Sequence, residues 1–138
     1  YLSMDIYVSD FILGEGKDQG ILEESLAKER VVGRVQRQNF QKSVKANAKI
    51  SFGTDAGIYP HGKNAIQFKY MVEWGMTPLQ AIQASTINTA ELFGFTNIGN
   101  INEGFEADII GIKGNPLEDI TVLENVNFVM KDGVIFKQ

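Results

Sequence analysis

The residues best suited to chemistry lie between Ile50 and Gly57, where a short apolar strand runs into a carboxylate held between two glycines. Asp55 would be displayed at the tip of that strand, and enzymes built on parallel strands place catalytic groups where a strand ends on a loop. Gly53 and Gly57 allow backbone conformations that a side chain would forbid. A strand that simply ends in an Asp turn is the alternative, and the local pattern does not separate the two.

Four motifs follow this segment in a defined order. The first, Ile-Tyr-Pro-His-Gly at 58–62, contains the only histidine of the chain, His61. The others are Gly-Phe-Glu-Ala-Asp at 104–108, Gly-Asn-Pro-Leu-Glu-Asp-Ile at 114–120 and Met-Lys-Asp-Gly at 130–133. Together they resemble the C-terminal part of the metal-dependent amidohydrolase superfamily, in the branch that holds imidazolonepropionase-like enzymes and Xaa-Pro dipeptidases. Four ordered motifs are far more specific than any one of them.

The resemblance implies an α/β fold, the C-terminal part of a (β/α)8 TIM-like barrel followed by strands of a small β-sandwich domain. Residues 1–97 would form the last barrel strands and helices, and residues 98–138 the sandwich strands. Family members are roughly three times as long, since they contain a whole barrel. The chain opens on a strand-like run without an initiator methionine or a leader. We therefore expect the remaining N-terminal part of the barrel to be a partner of this chain.

The same resemblance implies a hydrolase that cleaves an amide C–N bond with a divalent metal, expected to be zinc, as one or two ions. Asp55 would ligate the metal and serve as general base and general acid. The family's other ligands lie on earlier barrel strands, which this chain does not contain. A catalytic zinc takes about three protein ligands, so the isolated chain is expected to be inactive.

Tyr59 and His61 are expected to contact substrate at the rim of the site, in the loop after the strand that carries Asp55. Metal ligation by His61 is disfavoured, because the family's histidine ligands lie on strands. A histidine that only hydrogen-bonds to hold the loop is the alternative. Asp5 and Tyr7 are interpreted as packing residues.

Composition excludes several classes of partner. A net charge of −4 and a pI near 5.0 argue against nucleic acid, because a phosphate-binding protein needs a basic stripe. No apolar run approaches a membrane span, and without cysteine there is neither a disulfide framework nor a thiolate metal site. The expected substrate is a small peptide-like or cyclic amide. The cellular compartment is left open, with the cytoplasm preferred to a periplasmic or secreted location.

The elements that would position the site begin with a predicted buried parallel strand from Leu2 to Val8. A polar loop over 14–20 leads into a helical stretch from about Ile21 to Ala48, which Gly33 could divide into two helices. Residues 50–52 then return as a second strand. Strand, helix and strand in this order predict a right-handed parallel unit.

Three helical pieces follow. The first covers Asn64 to Trp74 and ends at Gly75, and its aromatic side chains at helical spacing are expected in the core rather than in a binding patch. The next begins at Thr77, where Pro78 and Gln80 complete a capping box. A second such start signal is predicted at Asn88.

Beyond Asn97 the pattern changes to strands over 107–112, 126–130 and 134–137, and Asp132-Gly133 predicts a hairpin between the last two. Asp108 and the segment 114–117 are interpreted as turn or backbone contacts. Three short strands cannot close a sandwich alone.

Three functions stay open on the sequence. An Xaa-Pro dipeptidase is the leading one, and an imidazolonepropionase-type hydrolase of a cyclic amide is the second. The third is a non-catalytic module that folds alone or associates with another chain, including a second copy, because exposed strand edges invite pairing.

Overall fold

The structure, a computed structural model, describes residues 1–138. It contains five α-helices, one 3-10 helix and two small sheets. In chain order the elements are β1 (Leu2–Met4), α1 (Tyr7–Gly14), α2 (Glu23–Lys45), β2 (Ile50–Phe52), α3 (Ile66–Glu73), α4 (Pro78–Ser85), α5 (Ile87–Leu92), β3 (Ile109–Ile112), the 3-10 helix (Ile120–Glu124), β4 (Val126–Lys131) and β5 (Val134–Lys137). The coarse prediction of an α/β fold is confirmed, as a small α/β piece. No helix has both the length and the apolar character needed to cross a bilayer.

Strands β1 and β2 pair in parallel, with Leu2 opposite Ile50 and Met4 opposite Phe52. The predicted parallel pairing is therefore confirmed, with α2 in the connection that parallel strands require. Because both strands run in the same direction, the loops that carry Asp5 and Asp55 leave the sheet at the same edge. This edge is the place where a shared site can form.

The first strand is shorter than predicted. It ends at Met4, and Tyr7 and Val8, which are predicted to continue it, form the start of α1 instead. Tyr7, Val8 and Phe11 are buried together on that helix. A short apolar run rich in Tyr and Val fits a buried strand and a buried helix equally well by pattern, so the tertiary contacts decide.

Helix α2 is continuous through Gly33, so the predicted option of two helices is wrong. A Cβ added at Gly33 would lie 2.8 Å from the Ser9 Oγ of α1. The glycine therefore allows α1 to approach α2 closely, and this packing offsets a helix propensity about 1 kcal/mol poorer than that of alanine.

The hydrophobic core lies between the parallel sheet and α2, α3 and α4. Its centre includes Phe40 of α2, which is 0% exposed, together with Ile6, Ile50 and Met71. Three aromatic residues of the α3 region pack against this cluster while partly buried, namely Phe68, Tyr70 and Trp74. Their predicted role in the core is confirmed.

The predicted capping box at the start of α4 is confirmed. The Gln80 N–H donates to Thr77 Oγ1 at 3.2 Å, and the Thr77 N–H donates to Gln80 Oε1 at 2.8 Å. The second predicted start signal, at Asn88, is wrong, because α5 already begins at Ile87. Asn88 instead donates from Nδ2 to the Ile50 carbonyl at 2.9 Å. Its amide thus joins α5 to β2, a long-range contact that local spacing does not report.

The antiparallel sheet has the order β3–β4–β5, with Asp132 and Gly133 in the hairpin at φ 50° and 76°. Asp108 accepts a hydrogen bond of 3.0 Å from the Asp132 N–H, which confirms its predicted backbone role. This bond, and then Lys131, lower the pKa of Asp108. The 3-10 helix contacts α3 across residue 97, and the division into domains there stays a prediction.

Candidate active site at the carboxyl ends of the parallel strands

Asp55 lies three residues beyond β2, in the loop that leaves the carboxyl edge of the parallel sheet. Its side chain is exposed and has no hydrogen-bond or ion-pair partner within the chain. Its φ is 51°, in the left-handed region that Asp tolerates better than most residues. The carboxylate is therefore free to bind a cation or to accept a proton.

The two glycines that flank Asp55 act in different ways. Gly57 has a φ of 122°, which confirms the predicted need for a glycine there. Gly53 is not in the left-handed region, so its predicted conformational role is wrong. A Cβ at Gly53 would lie 2.8 Å from Ser3 Oγ and 3.2 Å from the Met4 carbonyl oxygen. Its role is to let the end of β2 pass close to β1.

A second carboxylate, Asp5, lies at the same edge, directly after β1. Gln36 of α2 donates from Nε2 to Asp5 Oδ1 at 2.9 Å. Burial raises the pKa of Asp5, and the negative charge of Asp55 acts in the same direction. The two carboxylates therefore lie close enough to interact. From the sequence Asp5 is interpreted as a packing residue, because the predicted strand continues to Val8 and places Asp5 within the strand rather than at its end.

Tyr59 is 2% exposed, and its ring packs on Tyr7 and Phe11 at centroid distances of 4.8 and 5.7 Å. Its hydroxyl is buried without a hydrogen-bond partner in the chain. Burial raises the pKa of Tyr59, the nearby Thr54 hydroxyl acts in the opposite direction, and the charges of Asp55 and Asp5 make smaller upward contributions. The ring is thus part of an aromatic cluster, while the buried hydroxyl has no acceptor within the chain.

His61 is exposed on the turn after Tyr59 and borders an open surface cavity together with Phe11 and Gln19. The imidazole makes no hydrogen bond, so the alternative in which it holds the loop is wrong. Asn64 does so instead, because its Oδ1 accepts from the Gly62 N–H at 3.1 Å and its Nδ2 donates to Thr54 Oγ1 at 3.3 Å. The loop of Tyr59 and His61 is thereby tied to the loop of Asp55.

Gln67 is the residue that sequence analysis missed most clearly. It is 0% exposed in the first turn of α3, and all its hydrogen bonds go to backbone at this edge. The local spacing of residues does not indicate it, since a glutamine in a helix is ordinarily a surface residue.

The chain by itself assembles no group of three histidine, aspartate or glutamate side chains that could hold a metal ion. Asp55 fits the requirement for one such ligand, because its carboxylate is exposed and unpaired. Any further protein ligands would have to come from other polypeptide, as a catalytic metal takes about three.

Comparison with known proteins gives consistent results. The pattern that defines the amidohydrolase family matches residues 6–136. Ochratoxinase of Aspergillus niger is 36% identical over 143 residues, which cover 99% of this chain and 29% of that protein. The crystal structure of an Xaa-Pro dipeptidase with bound methionine in the active site is 42% identical, with a TM-score of 0.89, and the match covers 96% of this chain and 33% of that one.

A crystal structure of a prolidase complexed with N-methylphosphonate-L-proline is 27% identical, with a TM-score of 0.87, over 100% of this chain and 35% of the other. The chain thus spans about a third of the length of the proteins it matches, at their C-terminal part.

Proposed function

Because the chain belongs to the amidohydrolase family, we propose that it forms part of a hydrolase that cleaves the amide bond of Xaa-Pro dipeptides. The observation that carries the proposal is the exposed, unpaired carboxylate of Asp55 at the end of a parallel strand. The similarity to a dipeptidase and to a prolidase with a proline-containing ligand supports the substrate class.

Asp55 would accept the proton of the attacking water and return it to the leaving nitrogen. It would also supply one oxygen ligand to a divalent metal, with zinc expected as one or two ions. When bound, such an ion would polarise the scissile carbonyl. Asp5, beside Asp55, adds negative charge to the same edge, which favours a cation there.

Tyr59 and His61 would bind substrate from the adjoining loop. The Tyr59 hydroxyl is a hydrogen-bond donor with no partner inside the chain, and His61 is open to solvent beside it. A peptide carbonyl or carboxylate at this edge would complete the hydrogen bonding of the tyrosine.

The remaining N-terminal part of the barrel would supply the other ligands and the missing strands. Exposed apolar side chains of α2 support a missing partner, because other polypeptide would bury them. Val31 is 68% exposed and Val35 is 49% exposed. On the antiparallel sheet, Phe136 is 72% exposed. We propose in the same way that the longer protein contains the complete barrel and the β-sandwich, and that it can associate as a homo-oligomer.

The test is a substrate panel on the longer protein in which this chain is joined to the rest of the barrel. We expect a kcat/KM for Xaa-Pro dipeptides at least about tenfold above that for a cyclic imidazolone amide, because a site shaped for a linear dipeptide aligns its scissile bond with Asp55 better than a ring amide of different shape. Activity should be lost on chelation and return with zinc. A preference for the cyclic amide would instead favour the imidazolonepropionase-type function. A stable, metal-free and inactive protein would favour the non-catalytic module.

Replacing Tyr59 with phenylalanine tests the substrate contact. We expect KM for the dipeptide to rise about tenfold, since a lost hydrogen bond is worth about 1 kcal/mol or somewhat more. Stability should not fall, because the hydroxyl has no partner in the chain. Steady-state kinetics and thermal unfolding measure the two effects.

Tyr70→Phe is the matched control, because this ring also packs on Tyr7, at 5.3 Å, and lies on α3. It should leave KM unchanged. Equal KM values for the Tyr59 variant and the parent protein would rule out the substrate contact.

A further inference from the structure

Gln67 uses its whole side-chain amide to join three backbone segments. Its Nε2 donates to the Met4 carbonyl and to the Gly53 carbonyl, each at 2.8 Å. Its Oε1 accepts from the Tyr7 N–H, also at 2.8 Å. Both amide hydrogens and the carbonyl oxygen are therefore occupied, in a side chain that is 0% exposed.

The three backbone groups lie where β1 and β2 end and where α1 starts, next to the residues of the candidate site. Met4 is the last residue of β1 and precedes Asp5, while Gly53 follows β2 and lies two residues before Asp55. Tyr7 is the first residue of α1, which has no side-chain cap, so its N–H lacks an intrahelical partner. Gln67 thus fixes both strand ends and the start of α1 relative to one another.

Within the loop that carries Asp55, the Gly57 N–H donates to the Tyr59 carbonyl at 3.1 Å, and the other hydrogen bonds are longer. The Ile58 N–H donates to the Asp55 carbonyl at 3.3 Å, and the Ala56 N–H donates to Thr54 Oγ1 at 3.4 Å. Both bonds are near the upper limit for hydrogen bonding, whereas the bond from Gln67 to Gly53 is short. Gly53, where this loop leaves the sheet, is held on both sides: its N–H donates to the Met4 carbonyl at 3.0 Å, and its carbonyl accepts from Gln67 at 2.8 Å. The bond from Gln67 is the shorter of the two anchors that precede Asp55.

We propose that Gln67 is a positioning residue, whose amide sets the separation of the β1 and β2 ends and thereby the placement of Asp55 beside Asp5. This inference rests on the proposed function of Asp55 in proton transfer. An amide suits the position because it donates twice and accepts once without carrying charge. A methionine of similar length would leave the Gly53 carbonyl and the Tyr7 N–H unpaired in a buried place.

The test compares Gln67→Met with Met71→Ala in the longer protein. Met71 lies four residues further along α3, is 0% exposed and belongs to the hydrophobic core. Both variants should lower the thermal midpoint. Only Gln67→Met should lower kcat per folded molecule, by about 30-fold with KM changed less than about threefold, because misplacing a catalytic group by about 1 Å costs about 100-fold.

A shorter amide keeps the test decisive if the methionine variant does not fold. Gln67→Asn retains the amide but lacks one methylene, so it cannot reach all three backbone groups at once. It should lower kcat per folded molecule by about tenfold. Unchanged kcat in Gln67→Asn, or equal losses in Gln67→Met and Met71→Ala, would overturn the inference.

Asp55→Asn separates this inference from the proposed function. Full activity in that variant removes the proposed role of Asp55, whatever Gln67 does. If Asp55→Asn is impaired with measurable residual activity, adding Gln67→Met should cause no further loss, because the two changes act on the same step. Multiplied losses in the double variant would instead assign Gln67 a purely structural role.

Discussion

Asp55→Asn is expected to lower kcat of the complete enzyme by about 1,000-fold, within the range that a general acid or base contributes. The asparagine side chain has nearly the same shape but neither accepts a proton nor offers an anionic ligand. Asparagine also tolerates the left-handed conformation, in which Asp55 has a φ of 51°. Because the carboxylate has no partner within the chain, the thermal midpoint of the metal-free enzyme should not fall. Steady-state kinetics and calorimetry measure the two quantities.

Asp132→Asn is the matched control. Asp132 is also an exposed aspartate with positive φ, at 50°, but it lies in the hairpin of the antiparallel sheet. The kcat of the Asp132→Asn variant should equal that of the parent protein. An Asp55→Asn enzyme that keeps more than about a tenth of the parent activity would contradict the proposed proton transfer, because general acid or base catalysis contributes at least about 100-fold.

Phe40→Ala is expected to lower the free energy of unfolding by about 3–5 kcal/mol, the usual cost of truncating a buried phenylalanine. Phe40 is 0% exposed and joins α2 to the centre of the core beside Ile6 and Ile50. Truncation would leave a cavity under the parallel sheet, directly below the strands that carry the site. Urea unfolding, followed by circular dichroism, gives the change.

Gln38→Ala on the same helix is the control, since Gln38 is exposed and should change stability by no more than about 0.5 kcal/mol. A loss below about 1 kcal/mol for Phe40→Ala would mean that α2 does not pack on the sheet as described.

Local chemistry explains the elements that the sequence predicts well. The capping box at Thr77 and the Asp132-Gly133 hairpin are determined by residues within a few positions of one another. The strand before Asp55 is bounded by its own glycine, and α2 has a clear apolar periodicity. In each case the pattern that predicts the element lies inside the segment, so spacing alone reports it.

The elements that were predicted wrongly depend on distant partners. Tyr7 begins a helix because its N–H meets Gln67, and Gly33 continues one because Ser9 packs against it. Asn88 points to the Ile50 carbonyl instead of capping its own helix. None of these partners lies within twenty residues of its counterpart in the chain, and a local window therefore could not contain the cause.

The same distinction applies to the site. By itself the sequence determined the family and the exposed carboxylate of Asp55, because short motifs encode them, and the parallel unit, because the order of strand, helix and strand implies it. Only the tertiary structure decided that Asp5 lies beside it, that the Tyr59 ring is buried, and that Gln67 joins the two strand ends. The physical reason is that parallel pairing brings together residues about fifty positions apart. These residues then interact through hydrogen bonds and charges, although they are too far apart in the sequence for any local pattern to predict the contact.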